Sequence, residues 1–434
     1  MATPVKAVSE NGKTQKDATR AVIASGLGNV MEWYDFGIYG YFAPVLSSLF
    51  FPSKNSLTSL LITFAVFGVG FVVRPLGGFL CGHYGDKFGR RNVLCFTMVM
   101  MGISTFSIGL LPTYARIGVW APIALTFFRL IQGFSAGGEW IGSTSFIVEY
   151  AKETNRGFIG SFQMFSVGLG LLGGSAMGAF ISGSLSERAF SSWGWRLPFF
   201  IGITIAAVGY YLRVKLEETP RFREVENAHA KSQSPLVDTL KQYPKEILLS
   251  IGFTINWTVS YYVAMNYLPT YVSKIVKFPL SLTMTSNTIG LVFFLILTPL
   301  MGALSDRIGR KPVLLASCAG FALFSYPLFL LLNMATFISI LTAQLIFALL
   351  EAMFSGPGAA ALAEIFPTKI RLSALSLGYN TGVVLFGGMA PFICTYLIMT
   401  TKNKMAPSFY VMAAGIVSFI CIWSLKETFD RKLR

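Results

Sequence analysis

The sequence is short of charge. Only 13% of its 434 residues are Asp, Glu, Lys or Arg, whereas 53% are hydrophobic. A typical soluble domain has roughly a quarter of its residues charged, and a soluble chain of this length would form two or three domains that each need a charged surface. The scarcity of charge therefore argues against a soluble enzyme and favours a chain that crosses a membrane many times.

Residues that build catalytic and metal sites are also scarce. The chain has two histidines and five cysteines, and the cysteines are scattered without a C-x-x-C pair or metal-ligand spacing. No G-x-x-x-x-G-K-[ST] motif is present for an ATP-driven pump, and the first 20 residues contain no apolar core of a cleavable signal peptide. We expect no enzymatic activity, no metal and no cofactor.

Long apolar runs dominate the rest of the chain. A bilayer core about 30 Å thick requires about 20 apolar residues per helix, whereas a spanning β-barrel would show short alternating strands. The sequence therefore predicts an all-α membrane protein with twelve transmembrane helices. They are expected near 21–49, 57–81, 92–111, 121–147, 159–184, 196–213, 246–273, 281–303, 312–333, 336–359, 373–399 and 407–425.

Lys and Arg concentrate in alternate loops. If both termini are cytoplasmic, the cytoplasmic segments hold 25 of the 35 basic residues and the opposite loops hold 8. Basic residues favour the cytoplasmic side of membrane proteins, so both termini are predicted to be cytoplasmic. The formal net charge of +15 would then face the anionic inner leaflet. The lipid bilayer, and not nucleic acid, is the expected partner.

The two halves of the chain carry matching motifs. The pattern G-x-x-x-D-[KR]-x-G-R-[RK] occurs at 82–91 and again at 302–311, an offset of 220. A Glu is followed seven residues later by an Arg after both the fourth and the tenth span, as Glu149 with Arg156 and Glu364 with Arg371. The near-constant offset indicates a duplication.

The duplication predicts the domain organisation. It divides the chain into a cytoplasmic tail (1–20), a six-helix bundle (21–213), a cytoplasmic linker (214–245), a second six-helix bundle (246–425) and a cytoplasmic tail (426–434). Repeats of this kind place a cavity between the halves near the middle of the bilayer, and the cavity opens alternately to each side.

The repeated loop motif resembles the signature of the major facilitator superfamily, and the match extends over nearly the whole chain. The segments GNVMEWYDF (28–36), RLIQGFSAGGE (129–139) and WGWRLPF (193–199) resemble its metabolite:proton symporter family. Members of that family carry proline and glycine betaine, 2-oxoglutarate, citrate or shikimate. FPTKIRLSAL (366–375) and LKET (425–428) look closest to the proline/betaine carriers. The resemblance implies a multi-pass protein of the bacterial inner membrane that moves a small-molecule substrate together with protons, and we expect a monomer.

Charged residues inside the spans need a partner or a purpose, because burying an isolated charge in lipid is expensive. Asp35 in span 1 and Arg129 in span 4 are predicted to pair. Burial disfavours the ionised acid and the guanidinium favours it, so a substrate carboxylate that engages Arg129 would release Asp35 to take a proton. In proton-coupled sugar porters of the superfamily, the matching acid and guanidinium are proposed to couple in a similar way. The alternative is a buried ion pair that only fixes the two helices.

Other charges in the spans receive different interpretations. Glu32 shares a helix face with Asp35, and Glu139 shares one with Arg129, so both are further proton-coupling candidates. Glu351 is interpreted as locally hydrogen-bonded. Arg74 is expected to extend toward the cytoplasm.

Polar and aromatic residues predict the substrate site. Arg129 suits a carboxylate, and aromatic rings attract a quaternary ammonium group. The second half offers no confident second cation, which favours a zwitterion such as proline or glycine betaine over a di- or tricarboxylate. The substrate-binding candidates are Arg129, Gln132, Tyr39, Trp33, Asn256, Tyr261, Tyr262, Tyr379 and Asn380.

The repeated motifs also predict a latch that closes the cytoplasmic side in one state, with membrane anchoring as the alternative. Its members would be Asp86, Arg90, Asp306, Arg310, Glu149, Arg156, Glu364 and Arg371. The leading functional hypothesis is a proton-coupled importer that works by alternating access. The alternatives are a passive facilitator, which would ignore a protonophore, a transporter-derived sensor, and a symporter of organic acids.

Overall fold

The computed structural model describes residues 11–88, 90–137, 140, 144, 147–148, 151, 153–214, 242–367 and 371–429. These residues form helices and contain no strand, and the expected all-α membrane fold is confirmed. Residues 215–241 of the predicted linker lie outside the described part of the chain. Residues 1–10 of the first tail and 430–434 of the second lie outside it as well.

Six long helical segments are found in the described part of the first half. They are α1 (Asn11–Phe50), α2 (Ser56–Val72 and Arg74–Phe88), α3 (Arg90–Leu110), α4 (Trp120–Ala136), α5 (Arg156–Ser184) and α6 (Leu197–Val214). Helix α1 begins at Asn11, so residues 11–20 of the predicted tail are helical. Helix α2 is interrupted at Val73, because Pro75 has no N–H to donate and restricts the residue before it.

The second half repeats the arrangement. Its helices are α7 (Pro244–Tyr261, continued to Ile275), α8 (Leu280–Ile308), α9 (Arg310–Asn333), α10 (Phe337–Glu364), α11 (Arg371–Gly382, continued by Ala390–Thr401) and α12 (Ala406–Ser424). Within the described residues, eight helical stretches are long and apolar enough to cross a membrane.

Two helices of the second half contain π-helical turns that the sequence did not predict. They occupy Tyr262–Tyr267 and Tyr271–Ile275 in α7 and Val383–Gly387 in α11. Such turns widen a helix by one residue and are frequent at functional sites. Both helices face the first half, since α7 contacts α1 and the π-helical turn of α11 contacts α2.

The halves meet closely where α5 packs against α8. A Cβ atom placed on Gly302 would lie 2.6 Å from the carbonyl oxygen of Gly157, and one on Gly157 would lie equally close to the carbonyl oxygen of Gly302. The two backbones therefore touch only because both positions are glycine. Gly302 is also the first residue of the second copy of the repeated motif.

Candidate functional site

The acids of α1 lie in the interior of the first half. Glu32 and Asp35 are each 1% exposed and project from the same face of the helix. Arg129 of α4 and Arg74 of α2 are also buried. The described part of the first half therefore brings two acids and two guanidinium groups together away from water.

The predicted direct pair between Asp35 and Arg129 is wrong. Among the described residues, no ion pair joins these two side chains; they are the ends of a hydrogen-bonded chain. Arg129 Nη1 donates to Gln132 Oε1 (2.8 Å), Gln132 Nε2 donates to Thr105 Oγ1 (2.8 Å), and Thr105 Oγ1 lies 2.5 Å from Asp35 Oδ2. Gln132 and Thr105 separate the charges because both side chains occupy the space between α1 and α4.

The contacts of Thr105 indicate the protonation state of Asp35. A hydroxyl group has one proton to donate and two lone pairs. Thr105 Oγ1 contacts a carbonyl oxygen, Met101 O (2.9 Å), which only accepts, and it receives the amide N–H of Gln132. If the hydroxyl proton goes to Met101 O, the short contact to Asp35 needs a proton from the carboxyl. All three contacts are satisfied when Asp35 is a neutral acid.

Part of the hydrogen-bonding capacity of Arg129 is unused. Its guanidinium carbon lies 4.4 Å from the ring centroid of Tyr39, 4.8 Å from that of Phe36 and 5.4 Å from that of Phe67. The atoms Nε and Nη2 are buried and have no hydrogen-bond partner. Aromatic faces stabilise the cation but do not satisfy its N–H groups, so this guanidinium is poised to bind an anion.

Glu32 and Arg74 form a buried ion pair. Arg74 is 3% exposed and lies over the rings of Phe36 and Phe71. The interpretation of Arg74 as a side chain that extends toward the cytoplasm is therefore wrong, since its positive charge is neutralised inside the first half. The sequence shows both charges but not which acid meets which guanidinium.

A small cavity of about 10 Å³ adjoins Glu32. Thr97, Ser135 and Gly28 are among its lining residues. Glu32 Oε2 has no hydrogen-bond partner. A cavity of this size with polar walls has room for about one water molecule, which would satisfy that oxygen.

Aromatic side chains fill the boundary between the halves. Trp33 of α1 lies 5.5 Å from Tyr261 and 5.6 Å from Tyr262, measured between ring centroids. We call this set of rings the aromatic layer; it comprises Trp33, Phe67, Phe71, Trp140, Trp257, Tyr261, Tyr262 and Tyr379. The atoms Trp33 Nε1 and Tyr261 Oη are buried without a hydrogen-bond partner.

The remaining substrate candidates occupy different surroundings. Tyr39 is buried and donates its hydroxyl to Thr63 O (3.1 Å). Asn256 is fully buried, and its side-chain amide has no hydrogen-bond partner. Asn380 is half-buried. Glu139 lies outside the described residues.

One end of the bundle is closed by contacts between the halves. Arg156 of α5 pairs with Glu364 of α10 (2.9 Å), and Asp306 of α8 accepts the backbone N–H groups of Gly157 and Phe158 (2.8 Å each). Arg310 pairs with Asp306 (2.6 Å). The carboxylate of Asp306 thus caps the N-terminus of α5, where the helix dipole favours negative charge. We call this set the latch.

The other residues predicted for the latch are described only in part. The side chains of Asp86 and Arg90, and all of Glu149, lie outside the described residues. Arg371 is buried and donates to the carbonyl oxygens of Ala363 (2.9 Å) and Phe366 (3.2 Å).

The opposite end is also closed. Tyr41 of α1 donates to Met265 O in α7 (2.7 Å), and Asn287 of α8 donates to Ser175 Oγ in α5 (2.9 Å). The halves therefore touch at both ends and across the aromatic layer, which is an occluded arrangement.

Comparison with known proteins agrees with this architecture. The family described as "Sugar (and other) transporter" matches residues 21–236 and 223–434. The chain is 40% identical over 440 residues to the "Proline/betaine transporter" of Salmonella typhimurium, covering 98% of this chain and 86% of that protein. It is 37% identical to the "Glycine betaine/proline/ectoine/pipecolic acid transporter OusA" of Dickeya dadantii, with the same two coverages.

A solved structure shares the fold. The E. coli xylose transporter XylE, in a partially occluded inward-open conformation, superimposes with a TM-score of 0.77 at 21% identity, covering 96% of this chain and 100% of that one. The resemblance to the proline/betaine carriers is confirmed by the relatives. The chain belongs to the sugar (and other) transporter family of the major facilitator superfamily, and it is a multi-pass membrane transporter of small molecules.

Proposed function

We propose that this protein imports a small zwitterion of the proline or glycine betaine kind together with protons, by alternating access. The observation that carries the proposal is the chain from Arg129 to Asp35. One end holds a guanidinium with two unused nitrogen atoms, and the other holds a carboxyl whose contacts are satisfied by a proton. A substrate site and a proton site are thereby joined through two side chains.

The site suits a molecule with one negative and one positive end. The carboxylate of the substrate would bind the free N–H groups of Arg129. A positive ammonium would lie against the aromatic layer by cation–π attraction. A di- or tricarboxylate would need a second unpaired cation, and the guanidinium of Arg74, the second one described at this site, is already neutralised by Glu32. The names of the relatives support the same solutes.

Substrate binding and proton binding are coupled through the chain from Arg129 to Asp35. A substrate carboxylate on Arg129 offsets the positive charge that favours an ionised Asp35, so the acid keeps its proton while the substrate is bound. When the cavity opens to water, the Asp35 proton passes to a water molecule. The Thr105 hydroxyl then turns from Met101 O to the new carboxylate. Each cycle carries the positive charge of the proton across the membrane, because the zwitterion itself has no net charge.

The remaining features follow from the fold and the charge pattern. The proton gradient supplies the energy, so no cofactor is required. The concentration of basic residues in alternate loops supports a cytoplasmic location, at the bacterial inner membrane, for both termini and the latch. Each half can rock on the other at α5 and α8, so a monomer is sufficient.

Counterflow in proteoliposomes tests the proposal. Radiolabelled proline, glycine betaine, 2-oxoglutarate, citrate and shikimate are each offered with and without an imposed pH gradient. We expect exchange of proline or glycine betaine, and accumulation of the same solute only when the outside is more acidic. Accumulation that a protonophore leaves unchanged would identify a passive facilitator. Exchange of the organic acids alone would overturn the assignment to a zwitterion.

A further inference from the structure

A second buried carboxyl lies in the second half, away from the Asp35 site. Glu351 is in the middle of α10 and is completely buried. In the described part of the chain, it forms no ion pair with any Lys or Arg. Its two oxygens contact only serine hydroxyls: Oε2 lies 2.6 Å from Ser260 Oγ, and Oε1 lies 2.8 Å from Ser355 Oγ.

Counting hydrogen-bond donors assigns a proton to this carboxyl. Ser260 Oγ lies 2.6 Å from Asn256 O, a backbone carbonyl that can only accept, and its single hydroxyl proton cannot serve both this carbonyl and Glu351 Oε2. The second short contact of Ser260, to Glu351 Oε2, then needs a proton from Glu351. Ser355 accepts the N–H of Trp257 (2.9 Å) and has its own proton left for Glu351 Oε1. Every contact is satisfied with Glu351 as a neutral acid.

An ionised Glu351 would leave this arrangement short of donors. A buried carboxylate without a cation is expensive, and it would require the hydroxyl proton of Ser260 as well as that of Ser355. Ser260 would then give up its bond to Asn256 O. The other titratable groups that face Glu351 are Tyr261 of α7 and Cys318 of α9. No charged side chain from the described parts of α5 or α8 acts on it.

The surroundings of Glu351 connect it to the boundary between the halves. Ser355 holds the indole N–H of Trp257, whose ring lies 5.8 Å from Trp140 and 5.9 Å from Tyr379. Ser260 immediately precedes Tyr261 and the π-helical turn Tyr262–Tyr267. A change in the protonation of Glu351 therefore alters hydrogen bonds at two points of α7 that support the aromatic layer.

We propose that Glu351 is a second proton-carrying residue of the transport cycle, which holds its proton in the occluded state and releases it when α7 and α10 rearrange to admit water. In the release step, the O–H bond at Oε2 breaks and the proton passes to water. The hydroxyl of Ser260 then turns to the carboxylate. The inference rests on the proposed proton-coupled symport and adds that each half carries one proton.

The test measures the number of protons moved with each solute. The full-length protein is reconstituted in proteoliposomes, and the membrane potential that stops net glycine betaine flux is determined at fixed pH and solute gradients. We expect the ratio to fall from two protons per solute in the wild type to one in Glu351→Gln. Ser317→Ala is the matched control, because this buried hydroxyl of α9 bonds Leu350 O, next to Glu351 in α10, and forms no hydrogen bond with Glu351 itself.

The outcomes separate the two proposals. An unchanged ratio in Glu351→Gln, or a wild-type ratio of one, would overturn the role of Glu351 and leave proton coupling through Asp35 intact. A wild-type flux that ignores the pH gradient would overturn the symport itself. If Glu351→Gln does not reach the membrane folded, Glu351→Asp replaces it. A retained ratio of two with a shifted pH profile of uptake would support the role, and an unshifted profile would count against it.

Discussion

Trp140 of the first half stacks face to face on Tyr379 of the second, with ring centroids 3.5 Å apart and planes 1° from parallel. This contact joins the two halves directly. The occluded arrangement is thus stabilised at its centre by the same kind of rings that would hold a positively charged solute, so closure and recognition share one surface.

Replacing Trp140 with Ala should weaken substrate binding in the closed state. An aromatic pair contributes about 0.5–1.5 kcal/mol beyond the area it buries, so the KM for glycine betaine should rise by roughly 2- to 10-fold. Trp140→Phe should retain most of the affinity. Trp120→Ala, at an exposed tryptophan at the start of α4, is the control, and an equal change in both Ala variants would contradict a specific role for the stack.

Asp35→Asn should separate exchange from accumulation. The amide mimics the neutral acid and can keep the contact to Thr105, so counterflow should persist, whereas uphill uptake driven by a pH gradient should be abolished. Wild-type uptake should fall as the external solution becomes more alkaline, and uptake by the variant should not. Ser104→Ala removes a buried hydroxyl that bonds only Met100 O and should behave as wild type. Normal accumulation by Asp35→Asn would remove Asp35 from the mechanism.

Arg129→Lys should impair uptake although the charge is kept. An ammonium group cannot bond Gln132 and a substrate carboxylate with the planar geometry of a guanidinium. Losing one hydrogen bond to a charged group costs about 1.5–3 kcal/mol, which corresponds to roughly a 10- to 100-fold loss in kcat/KM. Arg196→Lys is the control, because Arg196 bonds the carbonyl oxygens of Gly109 and Leu111 outside the site.

Glu32→Gln should destabilise the fold by leaving Arg74 buried without a counter-charge. Removing one partner of a buried pair costs about 3–5 kcal/mol, which a lower Tm in detergent would report. The double variant Glu32→Gln with Arg74→Gln should recover much of the loss. Ser135→Ala, at the same small cavity, should leave the Tm nearly unchanged. A double variant as unstable as the single one would argue against the pair as the cause.

Glu364→Gln should open the latch. It removes the charge that holds Arg156 of the other half, so labelling of cysteines introduced on the cytoplasmic side of the cavity should become faster. Glu427→Gln is the matched control, because Glu427 accepts the backbone N–H groups of Arg310 and Lys311 within the second half only. Equal labelling of both variants would show that the latch does not control access.

Parts of the site were predictable from the sequence and parts were not. Trp33, Tyr261 and Tyr262 were expected at the site because aromatic rings attract a quaternary ammonium group, and the three rings do meet. Thr105 was missed, since a threonine in an apolar helix usually bonds the carbonyl one turn back, and nothing in the pattern shows that its lone pairs serve Asp35 and Gln132. The π-helical turns of α7 were also missed, since no motif or spacing in the sequence indicates them.

The sequence by itself determined that this protein is a bundle of membrane-spanning helices in two related halves. Three local properties of the sequence carry this information: the length of the apolar runs, the placement of the basic residues and the repetition of a loop motif. In lipid, each apolar run must satisfy the hydrogen bonds of its own backbone, which it does by forming a helix. Only the tertiary structure decided which buried charges meet. A helix face can be read from spacing, but a partner depends on how far each helix is rotated and shifted against its neighbours. That placement joined Glu32 to Arg74 and inserted Gln132 and Thr105 between Arg129 and Asp35.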